Sequence, residues 1–260
     1  ANSFGEDSFR EFLKSKFKAY QIRYRGNDEG LFTGYYEPTL DGSLKRSRGY
    51  NTPIYPKPND LIHVNIGEWK DSLNSSRIIG RVVGHKLKPY FSRSDISKGA
   101  LDGEIIPILW LKSEIDAFFL HIQGSGRVVL PNGEIYRLGY AGKNGRKYYP
   151  IGRYLVENGA ISKENISMQS IKKWLKENPG QKRDVMNMNP SYIFFRRLEG
   201  KGGPVGAQGV VLTSGRSLAV DRNYSKLGAP VWLSANFRDE EGKKIQRLMV
   251  AQDTGGAIKG

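Results

Sequence analysis

The part of the sequence after residue 204 constrains the fold most strongly. Its apolar residues come in short runs, and Gly, Pro, Asn and Asp separate these runs. Several short strands with regular turn signals are typical of a small closed β-barrel. The runs are residues 210–212, 218–220, 231–233 and 248–251. They predict a barrel-like domain at this end of the chain.

The middle of the chain mixes strand and helix signals. Residues 151–157 and 168–177 predict two short helices, each followed by a turn signal. The pair Asn132-Gly133 between two apolar runs predicts a β-hairpin. The Gly-, Ser-, Arg- and Pro-rich residues 41–58 predict a loop or a crossing between domains. This difference in sequence pattern between the middle and the end of the chain indicates a second domain inserted into a barrel whose first segments lie before Pro38.

The N-terminal stretch predicts one helix and one strand. Residues 8–21 have aromatic and apolar side chains at helical spacing, with Ser8 and Glu11 placed as a capping box. Residues 30–38 then predict a strand that ends in Tyr35-Tyr36. Paired tyrosines beside a glycine suit stacking on a sugar or a base, although packing in a core is an equally ordinary use of them.

The absence of cysteine excludes thiolate metal sites, cysteine nucleophiles and internal disulfides. The three histidines, His63, His85 and His121, lack the spacing of a metal site, so we expect no metal. No apolar run approaches the roughly 18 residues of a membrane span.

The net charge of +15 predicts a polyanionic partner, which could be nucleic acid, an anionic membrane face or an acidic cell-wall polymer. The basic residues are spread in short groups, and they form none of the common nucleic-acid-binding motifs. A basic surface that only faces solvent is the alternative interpretation.

Asp253 is the candidate for acid chemistry. It follows the apolar run at residues 248–251 and precedes Gly255-Gly256. Glycines beside a carboxylate at the end of a strand allow a ligand or a backbone to approach closely. A structural turn in which Asp253 accepts backbone hydrogen bonds is the alternative.

Two further corners present polar side chains between glycines. The first, Gln123-Gly124-Ser125-Gly126, follows an apolar segment that we interpret as a strand. The second, residues 139–145, contains Tyr140, Lys143 and Asn144. Loops of this composition often hold ligands.

Six blocks can be read together along the chain. In this order they resemble the membrane-bound lytic transglycosylase A family, and the resemblance covers most of the chain from Leu31 onward. The blocks are residues 32–36, 123–126, 140–145, 189–195, 221–222 and 247–260.

The resemblance implies a mainly β fold with a few short helices. Residues 1–37 and 203–260 would form a discontinuous double-psi β-barrel domain, and residues 38–202 would form a second β-rich domain inserted in it. In the family the barrel continues past the segment that ends at Gly260, so its C-terminal end is expected to be incomplete here.

The resemblance also implies an activity and a location. The family cleaves the β-1,4 bond between N-acetylmuramic acid and N-acetylglucosamine in peptidoglycan and leaves a 1,6-anhydro-muramoyl end, without a metal or other cofactor. The expected partner is a peptidoglycan glycan strand and not nucleic acid. The expected protein is a periplasmic monomer, associated with the outer membrane through a lipidated N-terminus absent from this chain.

By the resemblance, Asp221 and Asp253 match two aspartates of the active groove, and the acid usually credited in the family lies beyond the position of Gly260. Among the residues of this chain we place the catalytic role on Asp253, with Asp221 as a supporting residue. The substrate-binding set is Thr33, Gly34, Tyr35, Gln123, Gly124, Ser125, Gly126, Tyr140, Lys143 and Asn144.

Three other functions remain open from the sequence. A cell-wall polysaccharide-binding module without activity is the main alternative, because double-psi barrels also occur in proteins that bind polysaccharide without cutting it. A nucleic-acid binder would explain the charge. An aspartic protease would explain Asp253-Thr254-Gly255, but that motif works as a pair and one copy is present.

Overall fold

The computed structural model describes residues 5–23, 26, 30, 34–73, 77–200, 202–238, 242, 244–255 and 258. The chain divides into two compact units. The central unit is Tyr35–Pro204, and the discontinuous unit combines Ala1–Gly34 with Val205–Gly260.

The secondary structure is mainly β with a few short helices. The helices are α1 (Glu6–Lys16), α2 (Arg93–Ser97), α3 (Glu114–Gln123), α4 (Ile151–Glu157), α5 (Met168–Glu177) and α6 (Lys182–Asn187). The strands are β1 (Thr39–Ser43), β2 (Thr52–Ile54), β3 (Ile62–Asn65), β4 (Arg77–Val83), β5 (Lys86–Pro89), β6 (Leu109–Leu111), β7 (Gly126–Val129), β8 (Ile135–Lys143), β9 (Ile193–Arg197), β10 (Ser217–Ala219), β11 (Pro230–Arg238) and β12 (Lys244–Asp253).

A six-stranded sheet of order β2-β6-β1-β7-β8-β9 organises the central unit. Strands β1 and β7 are parallel, and the other neighbours are antiparallel. The chain beyond β2 also reaches the opposite edge strand, because the Phe195 N–H donates to the Tyr55 carbonyl at 3.0 Å. Leu111, Leu138 and Phe195 are fully buried in the core of this sheet.

The apolar segment before Gly124 is helix α3, so its interpretation as a strand is wrong. Ala117 and Leu120 pack into the core of the sheet. Phe118 and Phe119 pack on the opposite side, in a cluster with residues of α4, α5 and α6. A helix that is buried on both sides is apolar all round, and its sequence therefore looks like that of a buried strand.

A second, three-stranded sheet of order β3-β4-β5 completes the central unit. The predicted β-hairpin is confirmed as β7 and β8, with Gly133 at a φ of 82° in the turn. Helices α4 and α5 have the predicted bounds. Strands β1 and β2 correct the expectation that residues 41–58 form only a loop, since short strands carry too few residues to show a period.

The discontinuous unit contains the three-stranded sheet β10-β12-β11. Strand β12 pairs parallel with β10 and antiparallel with β11. Leu233, Ala235 and Met249 are buried in its small core. The apolar run at residues 210–212, predicted as a strand, contributes only an isolated bridge between Val205 and Val211.

Helix α1 begins earlier than the sequence predicts. Gly5 is its N-cap residue, so Ser8 lies inside the first turn and donates its hydroxyl to the Gly5 carbonyl instead of forming a capping box. The predicted strand at residues 30–38 is also wrong in its described part, where regular pairing starts only at Thr39. None of the helices in the described segments combines the length and the apolar character of a membrane span.

Candidate functional site

Asp221 and Asp253 lie at the same end of one sheet in the discontinuous unit. Strands β10 and β12 run parallel, with Ala219 opposite Asp253. The Val220 N–H donates to the Asp253 carbonyl at 2.9 Å. Because parallel strands end at the same edge of a sheet, Asp253 at the end of β12 and Asp221 in the loop after β10 belong to the same edge.

The Asp253 side chain is half-buried and is held by one backbone group. Its Oδ1 accepts the Ala207 N–H at 2.9 Å. The turn that contains Ala207 is itself fixed on β12, since the Gln208 N–H donates to the Gln252 carbonyl at 3.1 Å. Among the described residues this is the one hydrogen bond to the carboxyl group, and it leaves Oδ2 as the oxygen that can meet a ligand.

The Asp221 side chain forms an Asx turn. Its Oδ1 accepts the backbone N–H of Asn223 at 3.0 Å and the Asn223 side-chain amide at 2.9 Å. The backbone carbonyl of Asp221 accepts from Tyr224 and Ser225. Asp221 therefore stabilises the conformation of the loop after β10, in which it lies.

The central unit brings Tyr35 and Ser125 together. The Tyr35 hydroxyl lies 2.5 Å from Ser125 Oγ. Helix α3 ends at Gln123, and Gly124 takes a φ of 79° so that the chain can turn into β7. Gly126 follows in a place where a side chain would collide with Leu120. The glycines of this corner are thus required by its geometry.

Family comparison identifies the chain. The family model described as "MltA specific insert domain" matches residues 31–196, and the one described as "3D domain" matches residues 216–260. The chain belongs to the MltA family.

Named relatives of this MltA chain agree with the match. The membrane-bound lytic murein transglycosylase A of Escherichia coli (strain K12) is 33% identical over 236 residues, which are 88% of this chain and 57% of the relative. The chain thus spans little more than half the length of that relative.

Solved MltA structures are also similar to the chain. The membrane-bound lytic murein transglycosylase of Agrobacterium tumefaciens has a TM-score of 0.80 at 38% identity, over 88% of this chain and 64% of that one. The E. coli MltA with bound chitohexaose has a TM-score of 0.70 at 31% identity, over 88% of this chain and 62% of that one.

The second predicted corner of the MltA chain runs along β8. Because Gly126 pairs with Leu138, the corner before β7 lies beside the stretch of β8 that leads to Tyr140. Tyr140 is half-exposed, opposite Phe195. Lys143, the last residue of β8, is exposed. Tyr140 and Lys143 are therefore available to a ligand.

Asn144 has a different position from the one that the sequence suggested. It is fully buried, and its Nδ2 donates to the carbonyls of Phe91 and Pro190, both at 2.8 Å. Its Oδ1 accepts the N–H groups of Tyr192 at 2.9 Å and Arg146 at 3.3 Å. These four bonds use the full capacity of an amide. In this structure Asn144 holds backbone and has no bond left for a sugar.

Three predicted residues remain, which are Gln123, Gly34 and Thr33. Gln123 is half-buried at the end of α3, and Gly34 is exposed. Thr33 lies outside the described residues. Among the described residues, no group of three or more His, Asp and Glu is arranged to hold a metal ion.

Sequence reasoning missed the two buried residues that work with Asn144. Arg93 donates from Nε to the Asn189 carbonyl at 3.0 Å. Asn189 accepts with its Oδ1 from the N–H groups of Tyr149 and Ser191. We call Arg93, Asn144 and Asn189 the buried junction. Asn189 does lie in one of the family-like blocks. The sequence around Arg93, in contrast, does not distinguish it from the many exposed Lys and Arg residues of a basic chain.

Proposed function

We propose that this MltA-family protein is a peptidoglycan lytic transglycosylase. It would cleave the β-1,4 bond between N-acetylmuramic acid and N-acetylglucosamine and leave a 1,6-anhydro-muramoyl product. The carrying observation is the backbone bond from Val220 to Asp253, which supports a site that contains both Asp253 and the neighbouring Asp221. The relatives named lytic murein transglycosylase A and the chitohexaose-bound MltA support the substrate class.

One carboxyl group is sufficient for this chemistry. An ordinary glycosidase uses two, because one must protonate the leaving oxygen and the other must attack or activate water. In the proposed reaction the C6 hydroxyl of the muramoyl residue attacks its own C1. The bond from C1 to the leaving oxygen breaks, and a bond from C1 to O6 forms.

We assign the proton transfers to Asp253. Its Oδ2 would donate a proton to the leaving oxygen and then accept the proton of the C6 hydroxyl, so that the carboxyl group ends as it began. The bond from Ala207 to Oδ1 keeps the group oriented through both transfers. Asp221, at the same edge of the sheet, would stabilise positive charge that develops at C1.

The central unit would supply the glycan contacts. Tyr35 and Tyr140 would form walls against sugar faces, and the polar groups of Gln123 and Ser125 would bind hydroxyl and N-acetyl groups. Lys143 would attract the carboxylates of peptidoglycan. Thr33, Gly34, Gly124 and Gly126 would shape the backbone around these groups. We assign Asn144 the indirect role of fixing the loop after Lys143.

The finer description of the fold and location belongs to the same proposal. We propose a double-psi barrel domain of residues 1–37 and 203–260, which includes the whole discontinuous unit, and an insert of residues 38–202. The parallel pair β10-β12 supports this assignment. A periplasmic monomer, associated with the outer membrane through a lipidated N-terminus, would reach the peptidoglycan directly.

The test is release of 1,6-anhydro-muropeptides from purified sacculi by the full-length protein and by its Asp253→Asn variant. Loss of general acid catalysis should lower turnover by about 100-fold to 10,000-fold, while glycan binding survives. Asp221→Asn is the matched control and should cost less. Full turnover by Asp253→Asn would assign the acid to another residue, and binding without turnover by the native protein would favour the wall-binding module.

A further inference from the structure

The central unit contains a cavity of about 470 Å³ that the proposed reaction does not use. Residues of α2, α3 and α6 line it together with residues of β2 and β6. Its volume falls within the range of roughly 300–1,000 Å³ that is common for small-molecule sites. None of the residues that we assign to glycan contacts is among its lining residues.

The buried lining residues are mostly apolar. Ile96, Ala117, Phe118 and Met186 are each less than a tenth exposed. Other lining residues, such as Ser97, are exposed, and they mark the side from which solvent enters the cavity. The cavity therefore suits a ligand with an apolar body that enters from solvent.

Arg93 is a buried cation in the wall of this cavity. It is only 6% exposed. Its guanidinium donates to the carbonyls of Asn189 and Ser191 and to Nδ1 of His121, at 3.0, 2.6 and 2.9 Å. All three acceptors are neutral, and no carboxylate in the described part of the chain forms an ion pair with Arg93. Since a guanidinium has five N–H donors, part of its capacity remains.

The acidic residues that line the cavity are already partnered. Asp102 accepts the Tyr55 hydroxyl at 2.9 Å. Glu114 forms ion pairs with Lys182 at 2.6 Å and Arg183 at 3.3 Å. Neither acid forms an ion pair with Arg93.

His121 adds a second polar group with unused capacity. It lines the cavity and is 7% exposed, and its Nε2 is buried without a hydrogen-bond partner among the described residues. Because Nδ1 accepts from Arg93, the neutral ring carries its proton on Nε2. The wall thus combines a cation with an unsatisfied donor.

Burial without a counter-charge is costly for a cation. Burial lowers the pKa of Arg93 to about 10, so the side chain remains charged at neutral pH. An anion in the cavity would offset this cost, and its apolar part would replace water against Phe118 and Ile96. The cavity wall therefore favours a ligand with an anionic group at one end and an apolar body at the other.

We propose that the cavity binds a small organic carboxylate whose carboxylate group accepts hydrogen bonds from Arg93 and whose apolar or aromatic body packs against Phe118, Ile96 and Met186. This site is separate from the glycan site. Binding to it does not depend on the proposed transglycosylase reaction.

The first test compares two probes on the native protein. Titration calorimetry with 3-phenylpropionate should show saturable binding of one molecule per chain. The neutral analogue 3-phenylpropanol should bind about tenfold more weakly or worse, because charge-assisted hydrogen bonds are lost. Equal affinity of the two probes, or no saturable binding of the carboxylate, would overturn the proposal.

The second test locates the bound probe. Asn187 is half-buried and lines the cavity, whereas the next residue, Met188, is exposed and does not line it. Asn187→Trp should fill the cavity and weaken 3-phenylpropionate binding about tenfold or more, and Met188→Trp should leave it unchanged. Unchanged binding by a folded Asn187→Trp variant would place the probe elsewhere and reject this cavity as the site.

Discussion

The buried junction of the central unit and the strand ends of the discontinuous unit use polar side chains in opposite ways. At the junction, Asn144 is completely buried and spends all four hydrogen bonds on backbone. At the strand ends, Asp253 is half-buried and accepts one backbone bond. The first arrangement fixes architecture, whereas the second leaves chemical capacity for a ligand. Presence in a family-like block does not distinguish these roles, but the count of internal bonds does.

The largest stability effect should follow from Asn144→Ala. The change removes the side-chain partner of four backbone groups, of which the Pro190 carbonyl keeps a bond from the Arg93 N–H at 3.1 Å. An unpaired buried group costs about 1–3 kcal/mol, so the free energy of unfolding should fall by about 3 kcal/mol or more. Chemical denaturation measures this. Lys143→Ala is the matched control, because this neighbour is exposed and its truncation should cost less than about 0.5 kcal/mol. Similar losses in both variants would remove the distinction between the two residues.

The second effect is a pH dependence that belongs to His121. Burial, followed by the charge of Arg93, holds the pKa of His121 well below its ordinary value of 6.5. The unfolded chain therefore binds a proton more readily than the folded one. The stabilisation is complete above pH 6.5 and falls by about 1.4 kcal/mol per pH unit as the pH drops below it.

The measurement is the free energy of unfolding between pH 7.5 and about 5. The His121→Asn variant should lose that part of the slope. The pKa of His63 is also lowered, by burial and by Lys57 and Arg77, so the test is the difference between the native protein and the variant. Identical slopes would mean that His121 does not control this dependence.

The third effect concerns the Asx turn at Asp221. Asp221→Ala removes the acceptor of both Asn223 bonds and should cost about 1 kcal/mol, because the turn is on the surface-facing end of the sheet. Asp221→Asn keeps an acceptor oxygen and should cost less. A loss as large as that of Asn144→Ala would show that the strand ends are also architectural.

The smallest stability effect should come from Asp253→Asn. The amide oxygen can still accept the Ala207 N–H, so we expect a change below about 0.5 kcal/mol in the free energy of unfolding, even though turnover should fall by about 100-fold or more. Thermal unfolding measures the first quantity and sacculus digestion the second. A strongly destabilised variant would assign Asp253 a structural role and separate it from the proposed chemistry.

Local sequence signals predicted the helices and the hairpin whose defining residues all lie within the element itself. The Asn132-Gly133 hairpin and the helices Ile151–Glu157 and Met168–Glu177 were found because turn residues and a helical period suffice to define them. Helix α3 was misread, since burial on both sides removes its polar face. Strands β1 and β2 were missed because sheet partners far along the chain stabilise them.

The sequence predicted a site residue where the residue's surroundings are set by its neighbours along the chain. Asp253 at the end of an apolar run was visible, and the strand β12 does end there. The burial of Asn144 was not visible, because its partners Phe91 and Pro190 come from remote loops. Its assignment to substrate binding rested on loop composition, and composition does not report how many bonds a side chain already makes.

The division of the chain also sets an order of events during synthesis. The discontinuous unit needs Ala1–Gly34 and Val205–Gly260, and the ribosome makes all of Tyr35–Pro204 between them. At roughly 5–20 residues per second, the first stretch waits on the order of ten seconds for its partner strands. The six-stranded sheet of the central unit lies within residues 35–204, so it needs no later part of the chain. A chain truncated after residue 204 should therefore contain a finished central unit and an N-terminal stretch that a chaperone or protease can still reach.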